Sequence, residues 1–405
     1  MKILHLVHQY PPDHVGGTEH YTQGLATAQA KAGHAVAVLY PRDKQSDLSV
    51  EESNGVRVYT AGTGGRNRTR VFTSLFGSKE LHSQFEQVLN EVQPDVLHLQ
   101  HLMGWPLSIV DRAKQLGLKC IFTLHDYWSL CSNAQLLTNY NQSVCGGPRL
   151  WLNCARCAVA RLQQPALLIG APAIAALFAD RARLIRRALD QIDTCLGPSH
   201  LVGQMAIRAG ARPDHIYHLP YGIDKSGALP HAQRPVDQFR IAYIGSLAWQ
   251  KGVHVLIEAF NAVPEPATLT VYGDPAVFPE YGRRLRALAK SPRITFAGKL
   301  GRSDLWSVLS QTDLVAVPSI WYENQPLTIL EAFTASVPVM ASDLGALPEL
   351  IEDDVTGWRV PANDATAWAQ ALTDVVTGVK RIDHVEAEVS DVEKDHLPKV
   401  MAFYR

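Results

Sequence analysis

The sequence lacks four things, and each lack excludes something. It has no run of twenty apolar residues: the longest weakly polar stretch, residues 165–178 (PALLIGAPAIAALF), has 14 residues, two prolines and a glycine, short of the roughly 20 needed to cross a bilayer. It has no surplus of one charge. Lys plus Arg (38) against Asp plus Glu (39) leaves −1, so no overall field draws nucleic acid to the surface. It has only six cysteines in 405 residues, too few for a disulfide scaffold. Its opening MKILHLVH shows none of the charged, apolar, small-residue order of a secretion signal, which points to cytoplasmic residence.

What is present is a folded chain. A composition of 46% hydrophobic and 19% charged residues supports large cores and excludes general disorder. At about 150 residues per domain the length favours two domains. Short apolar runs at residues 3–8, 34–40, 56–60, 96–100, 120–125 and 194–197 read as strands. Helical periodicity occupies 19–31, 79–92 and 106–116 between them. Strands buried on both faces become continuously apolar, so the alternation predicts a parallel sheet with crossover helices. The pattern restarts at 240–245, 269–273, 294–297, 314–317 and 339–341, after a Pro, Gly and His-containing linker at 224–238. The expected fold is α/β: two facing Rossmann-like domains with an interdomain cleft, where open α/β sheets bind ligands beyond their strands' carboxyl ends. The expected bounds are 1–222, with a Cys-containing insertion at 129–160, then 223–389, then a tail at 390–405 packing across the hinge.

Three segments carry chemistry. After the first strand, a Pro-rich loop at 9–15 leads to Gly16, Gly17, Thr18 and Glu19 at a helix start. Adjacent glycines there let backbone N–H groups approach an anion; the plainer alternative is a tight turn with Thr18 as N-cap. It is not a dinucleotide fingerprint, because G-x-G-x-x-G is absent after this strand. In the second half, Ser246 to Gly252 (SLAWQKG) follows a strand, and Lys251 beside a glycine can neutralise a diphosphate leaving group. Further on, SIWYENQPLTILEA contains Glu323 and, eight residues later, Glu331. If one helix covers both, the two carboxylates face one cavity; otherwise one is a helix-start acid and the other a solvated one.

Together these segments resemble the retaining nucleotide-sugar glycosyltransferases of glycosyltransferase family 4, which have the GT-B architecture. The resemblance runs in order through Gly16-Gly17-Thr18-Glu19, TLHDYW at 123–128, Pro220-Tyr221-Gly222-Ile223-Asp224 and Gly245 with Lys251-Gly252. It continues through Glu323-x7-Glu331, Val337-Pro338-Val339, Gly345, Pro348-Glu349-Leu350 and Thr356-Gly357. It implies that Glu331 accepts hydrogen bonds from the ribose hydroxyls and that Glu323 holds the donor sugar. It further implies that Lys251, the Gly16-Gly17 backbone and the amides near Leu327 and Thr328 bind the diphosphate. His125 would lie near the reacting centre, the alternative being a core histidine at a strand end. Two positions depart from the pattern. Ser246 stands where many relatives have Arg, leaving Lys251 as the only cation of that motif, and Pro326 stands where many have Gly, removing a backbone donor.

Without an Asp-x-Asp pair in a loop placed to hold a divalent ion, the expected reaction needs no metal cofactor. It transfers a hexose-type sugar, with retention, from a nucleotide-diphosphate sugar to a glycan, lipid-linked or small-molecule acceptor. Cys131, Cys145, Cys154 and Cys157 lie in the insertion, and Cys154-x2-Cys157 has the spacing of half a zinc knuckle. Structural zinc and free buried thiols both remain open there. The apolar stretch at 165–178 followed by Arg181, Arg183, Arg186 and Arg187 suits peripheral membrane contact; the plainer reading, and the preferred one, is a core-packed helix with a solvated basic face. The competing function class is a sugar-nucleotide-binding or scaffold protein with a weak site, for which Ser246 speaks. A nicotinamide-dependent dehydrogenase fails on the missing glycine fingerprint.

Overall fold

The structure, a computed structural model, describes all residues except Val15, Lys44, Gly64, 66–71, 233–237 and Asp383. The expected loop at 9–15 and linker at 224–238 therefore lie partly outside the described residues. The chain divides into two compact units, Met1–Asp224 with Ser390–Arg405, and Lys225–Val389.

The first unit holds strands β1 (Lys2–Leu6), β2 (Ala35–Arg42), β3 (Ser49–Ser53), β4 (Val56–Gly62), β5 (Val96–Leu99), β6 (Lys119–Thr123), β7 (Thr194–Gly197) and β8 (Ile216–His218). They form one sheet in the order β3-β4-β2-β1-β5-β6-β7-β8, parallel except for β3 against β4. Helices α1 (Gly17–Lys31), α2 (Lys79–Val92), α3 (Ser108–Gln115), α4 (Leu152–Leu162), α5 (Ala171–Gln191) and α6 (His200–Ala209) connect or follow the strands. Ile3, Leu4, Leu6, Val38, Leu97 and Ile121 are fully buried, the consequence of a sheet covered on both faces. Each such side chain contributes roughly 1.5–3 kcal/mol on burial. Strand β3 (SVEES) is exposed throughout. It escapes the apolar-run criterion because Glu51 and Glu52 guard a sheet edge instead of filling a core.

The second unit is a six-stranded, wholly parallel sheet of β10 (Phe239–Ile244), β11 (Ala267–Tyr272), β12 (Ile294–Gly298), β13 (Leu314–Val317), β14 (Val339–Ser342) and β15 (Gly357–Val360), ordered β12-β11-β10-β13-β14-β15. The preceding number, β9, belongs to Gly222–Ile223 of the first unit. Helices α7 (Val253–Phe260), α8 (Pro279–Leu288), α9 (Leu305–Ser310), α10 (Leu327–Thr334) and α11 (Ala365–Val376) complete it. Ile241, Leu256, Leu269, Leu314 and Trp368 form its core. This order reverses direction between β10 and β13, and such a switch point opens a crevice at the strands' carboxyl ends.

The last sixteen residues, Ser390–Arg405, group with the first unit. Strand β16 (Ser390–Asp391) pairs with β9, and α12 (Leu397–Tyr404) follows. Lys31 Nζ meets Glu393 at 2.5 Å.

Candidate active site

The loops at the switch point of the second unit are fixed by close backbone approaches. Gly252 has φ +69°, and a Cβ there would stand 1.8 Å from the Pro318 carbonyl oxygen, so only glycine lets the turn after β10 lie against the end of β13. Ile320 N–H donates to Gln250 O at 2.9 Å across the same contact. Gly345, with φ +68°, packs its Cα against the backbone of Tyr322 and Glu323, and Ala346 N–H donates to Glu323 O at 3.1 Å. The loop after β14 thus braces the loop after β13.

Lys251 and Glu323 meet between these turns. Lys251 Nζ lies 2.7 Å from Glu323 Oε1, which also accepts from Ser319 Oγ at 2.6 Å and Trp321 Nε1 at 2.8 Å. The ammonium stands 5.2 Å from the Trp321 ring centroid, within cation–π range. Glu323 is 5% exposed, so two neutral donors and a cation compensate a buried carboxylate.

Of the two readings of this segment, the single helix over both glutamates does not form, and Glu331 is buried and not solvated. Helix α10 begins at Leu327 with Pro326 as its N-cap, and proline disfavours helical backbone in the residue before it. Glu323 is therefore a loop residue anchored by its own donors. Glu331, on α10 and buried, is paired with Arg302 Nη1. Arg302 was not among the expected site residues; its signal is a basic Lys299-x2-Arg302 pair just past an apolar run. Leu327 and Thr328 head α10, with Thr328 Oγ1 donating to Ile244 O at 3.4 Å, next to Gly245 and an exposed Ser246.

In the first unit, Gly16 precedes α1 in extended backbone, with no side-chain cap bond, so Thr18 is not the cap. A Cβ at Gly16 would come within 2.6 Å of Glu19 Oε2, while no described atom lies within 4 Å of one at Gly17. Glu19, 5% exposed, lies 3.6 Å from His8 Nε2, and burial raises its carboxyl pKa.

His125 sits past the end of β6 within a chain of neutral hydrogen bonds. Tyr221 donates to His125 Nδ1 at 2.6 Å, and His125 Nε2 donates to Gln100 Oε1 at 2.8 Å. The Gln100 amide donates to His5 Nδ1 at 3.1 Å, and His5 Nε2 donates to Gln29 Oε1 at 2.7 Å. Gln29 Nε2 donates to Tyr404 at 2.9 Å, Tyr404 to His98 Nδ1 at 2.6 Å, and His98 Nε2 to Thr123 Oγ1 at 2.8 Å. Amide groups at two links fix the direction, so every histidine in the chain carries one proton, its tautomer assigned by its partners. Burial lowers His125 to about 3 and His5 to about 4, and holds His98 well below its usual value.

The four insertion cysteines are free thiols. Among the described residues no three His, Cys, Asp or Glu side chains form a set able to hold a metal ion, so of the two readings left open for Cys131, Cys145, Cys154 and Cys157 the arrangement favours free thiols over structural zinc. Their hydrogen bonds tie the segment together: Cys157 Sγ accepts from Asn139 N–H at 3.2 Å, and Cys145 Sγ donates to Gly147 O at 3.6 Å. Burial pushes the Cys154 thiol up to about 12, and the neighbouring Cys131, Cys145 and Cys157 add to that rise.

Comparison with known proteins assigns the class. Over the whole chain the fold matches sucrose-phosphate synthase from Thermosynechococcus elongatus, at TM-score 0.69 and 20% identity, covering 94% of that chain. It also matches Anabaena HepE in complex with UDP-glucose, at TM-score 0.63 and 16% identity, covering 95% of that chain. The fold is that of the GT-B glycosyltransferases. Residues 15–226 match the model of Glycosyltransferase Family 4, and 238–377 match that of Glycosyl transferases group 1. The chain belongs to glycosyltransferase family 4. Among relatives, glycogen synthase of Mycobacterium tuberculosis is 25% identical over 393 residues, 93% of this chain and 86% of that protein. D-inositol 3-phosphate glycosyltransferase of Xylanimonas cellulosilytica is 32% identical over 181 residues, which span 40% of this chain and 43% of that protein.

Proposed function

We propose that the chain is a retaining, metal-independent hexosyltransferase. It takes its sugar from a nucleotide-diphosphate donor and passes it to a glycan, lipid-linked or small-molecule acceptor in polysaccharide or glycoconjugate assembly, on the cytoplasmic side of the membrane. The observation that carries this reading is the Lys251–Glu323 pair at the switch point of the second sheet. Without donor, each group satisfies the other. With donor, the lysine turns to the diphosphate and the carboxylate accepts from sugar hydroxyls, an exchange that keeps both compensated.

The roles follow from the chemistry. Lys251 and the amides of Leu327 and Thr328, at the positive end of α10, neutralise the charge that grows as the diphosphate departs. Glu331 accepts from the ribose hydroxyls, and Arg302, its present partner, turns to a phosphate or the base. In the first unit, the Gly16-Gly17 backbone adds donors, and neutral His125 lines the sugar's reacting face. With no side chain assigned as nucleophile, retention comes from acceptor attack on the face the leaving group vacates, the acceptor proton passing to a departing phosphate oxygen.

Calorimetric titration with UDP-, GDP- and ADP-sugars, followed by NMR of the product's anomeric configuration, tests this. Binding and transfer with retention support it. Binding without turnover of any acceptor favours the weak-site binding protein, and no binding removes the reading.

A further inference from the structure

After β6, α4 and α5 pack as a helical hairpin with an exposed apolar tip. Residues 161–170, from the end of α4 to the start of α5, are exposed without exception, and they include Leu162 (45% exposed), Leu167 (40%), Leu168 (45%) and Ile169 (92%). The exposed side of α5 continues this surface with Leu177 at 50%. Single exposed leucines are ordinary, but a contiguous apolar tip is an interaction surface.

Charge decides what covers it. From Cys145 to Leu189 the chain has seven arginines, no lysine and one carboxylate, Asp180. Arg149, Arg156, Arg161, Arg183, Arg186 and Arg187 are all exposed. In a protein of net charge −1, this concentration along the hairpin, with Arg156 and Arg161 nearest the apolar tip, is complementary to a surface that is greasy inside and anionic outside.

The stretch Pro165–Gln191 has the length and composition to cross a membrane, with only 17% of its most apolar window buried. Crossing is ruled out by the other side of the helix. Phe178, Arg181, Ile185 and Leu189 are buried in the first unit, with the Arg181 guanidinium bonded to Trp128 O at 2.5 Å. A helix already packed along one face can lie on a bilayer but cannot span it.

We infer that the tip formed by Leu162, Leu167, Leu168, Ile169 and Leu177 inserts into the headgroup region of an anionic membrane, with the neighbouring arginines on lipid phosphates. This surface stands independently of the proposed transferase chemistry. It would hold the enzyme where a lipid-linked acceptor resides.

The test is co-sedimentation of the full chain with vesicles of phosphatidylcholine alone or mixed with phosphatidylglycerol. Binding to the mixed vesicles is expected, at least tenfold weaker to phosphatidylcholine alone and weakening as salt rises. Leu168→Asp/Ile169→Asp should lower binding at least tenfold at unchanged Tm and unchanged nucleotide affinity. Arg156→Gln/Arg161→Gln should lower it several-fold and flatten the salt dependence. Absence of wild-type binding to the mixed vesicles overturns the inference, as does equal binding by the double aspartate variant. A chain that self-associates through the tip and ignores vesicles, becoming monomeric on Leu168→Asp/Ile169→Asp, assigns the tip to a second copy and also overturns it. Since donor titration reads the second unit separately, loss of vesicle binding and loss of the transferase reading are distinguishable.

Discussion

The two units solve one problem in opposite ways. Each ends its central strands in buried polar groups that need partners. The second unit uses opposite charges, Lys251 on Glu323 and Arg302 on Glu331. The first unit uses neutral groups in series, from Tyr221 through His125, Gln100, His5, Gln29 and Tyr404 to Thr123. Charge pairs can be exchanged for a charged ligand at little cost. A directional neutral chain loses a satisfied bond wherever it is cut. The contrast is between a second unit whose charge pairs can open for a charged ligand and a first unit whose neutral chain resists being cut.

The largest effect should come from removing the second unit's cation. Lys251→Ala should lower the transfer rate on the order of a hundredfold or more while leaving the first unit's amide exchange unchanged. A transfer rate within a few-fold of wild type would mean that leaving-group charge is neutralised elsewhere, with Arg302 the next residue to substitute.

Acid should separate the units next. His5, His125 and His396 fall to about 4, 3 and 4, and His98 lies well below its usual value, all through burial; in the second unit His254 alone is shifted this way, to about 4. A base whose pKa is lowered by folding binds its proton in the unfolded chain first. Stability is therefore full above about pH 6.5 and lost as pH falls toward 4, at up to about 1.4 kcal/mol per pH unit for each such histidine. Hydrogen exchange followed from pH 7 to 4.5 should show β1, β5 and β6 losing protection before β10 and β13. Simultaneous loss would mean that the neutral chain does not set the first unit's acid limit.

A smaller effect sharpens the second unit's side. Glu331→Gln replaces one acceptor oxygen with a donor and removes the charge-assisted bond, worth about 1.5–3 kcal/mol, so nucleotide affinity should fall at least several-fold by calorimetry. Unchanged affinity would take Glu331 out of the site.

The contrast also explains what could be read from sequence. Parallel α/β order was legible because doubly covered strands such as VLHL at 96–99 stay apolar, and Lys251 and Glu323 were legible as charged residues just past such runs. Arg302 was missed because its importance lies in meeting Glu331 across 29 residues, a distance that no local period reports. The histidine chain was invisible for the same reason, more strongly: His98 and Tyr404 are 306 residues apart. The two-glutamate helix stayed open because spacing alone does not show that Pro326 stops the helix short of Glu323.

The smallest expected effect tests whether the C-terminal segment is part of that neutral chain or merely rests on it. Tyr404 is 3% exposed, and its hydroxyl both accepts from Gln29 Nε2 and donates to His98 Nδ1. Tyr404→Phe keeps the ring and its edge contact with His98, whose centroid is 5.6 Å away, and deletes only the oxygen. One amide donor and one imidazole acceptor are then buried without a partner, which costs about 1–3 kcal/mol. Chemical denaturation should show that loss at neutral pH with an unchanged m-value, while calorimetry shows unchanged nucleotide affinity, because no charge pair of the second unit is touched. If denaturation shows no loss, water has replaced the hydroxyl and the chain is not continuous. If nucleotide affinity falls as well, the neutral wall and the charged site are coupled, and the division of labour drawn between the two units does not hold.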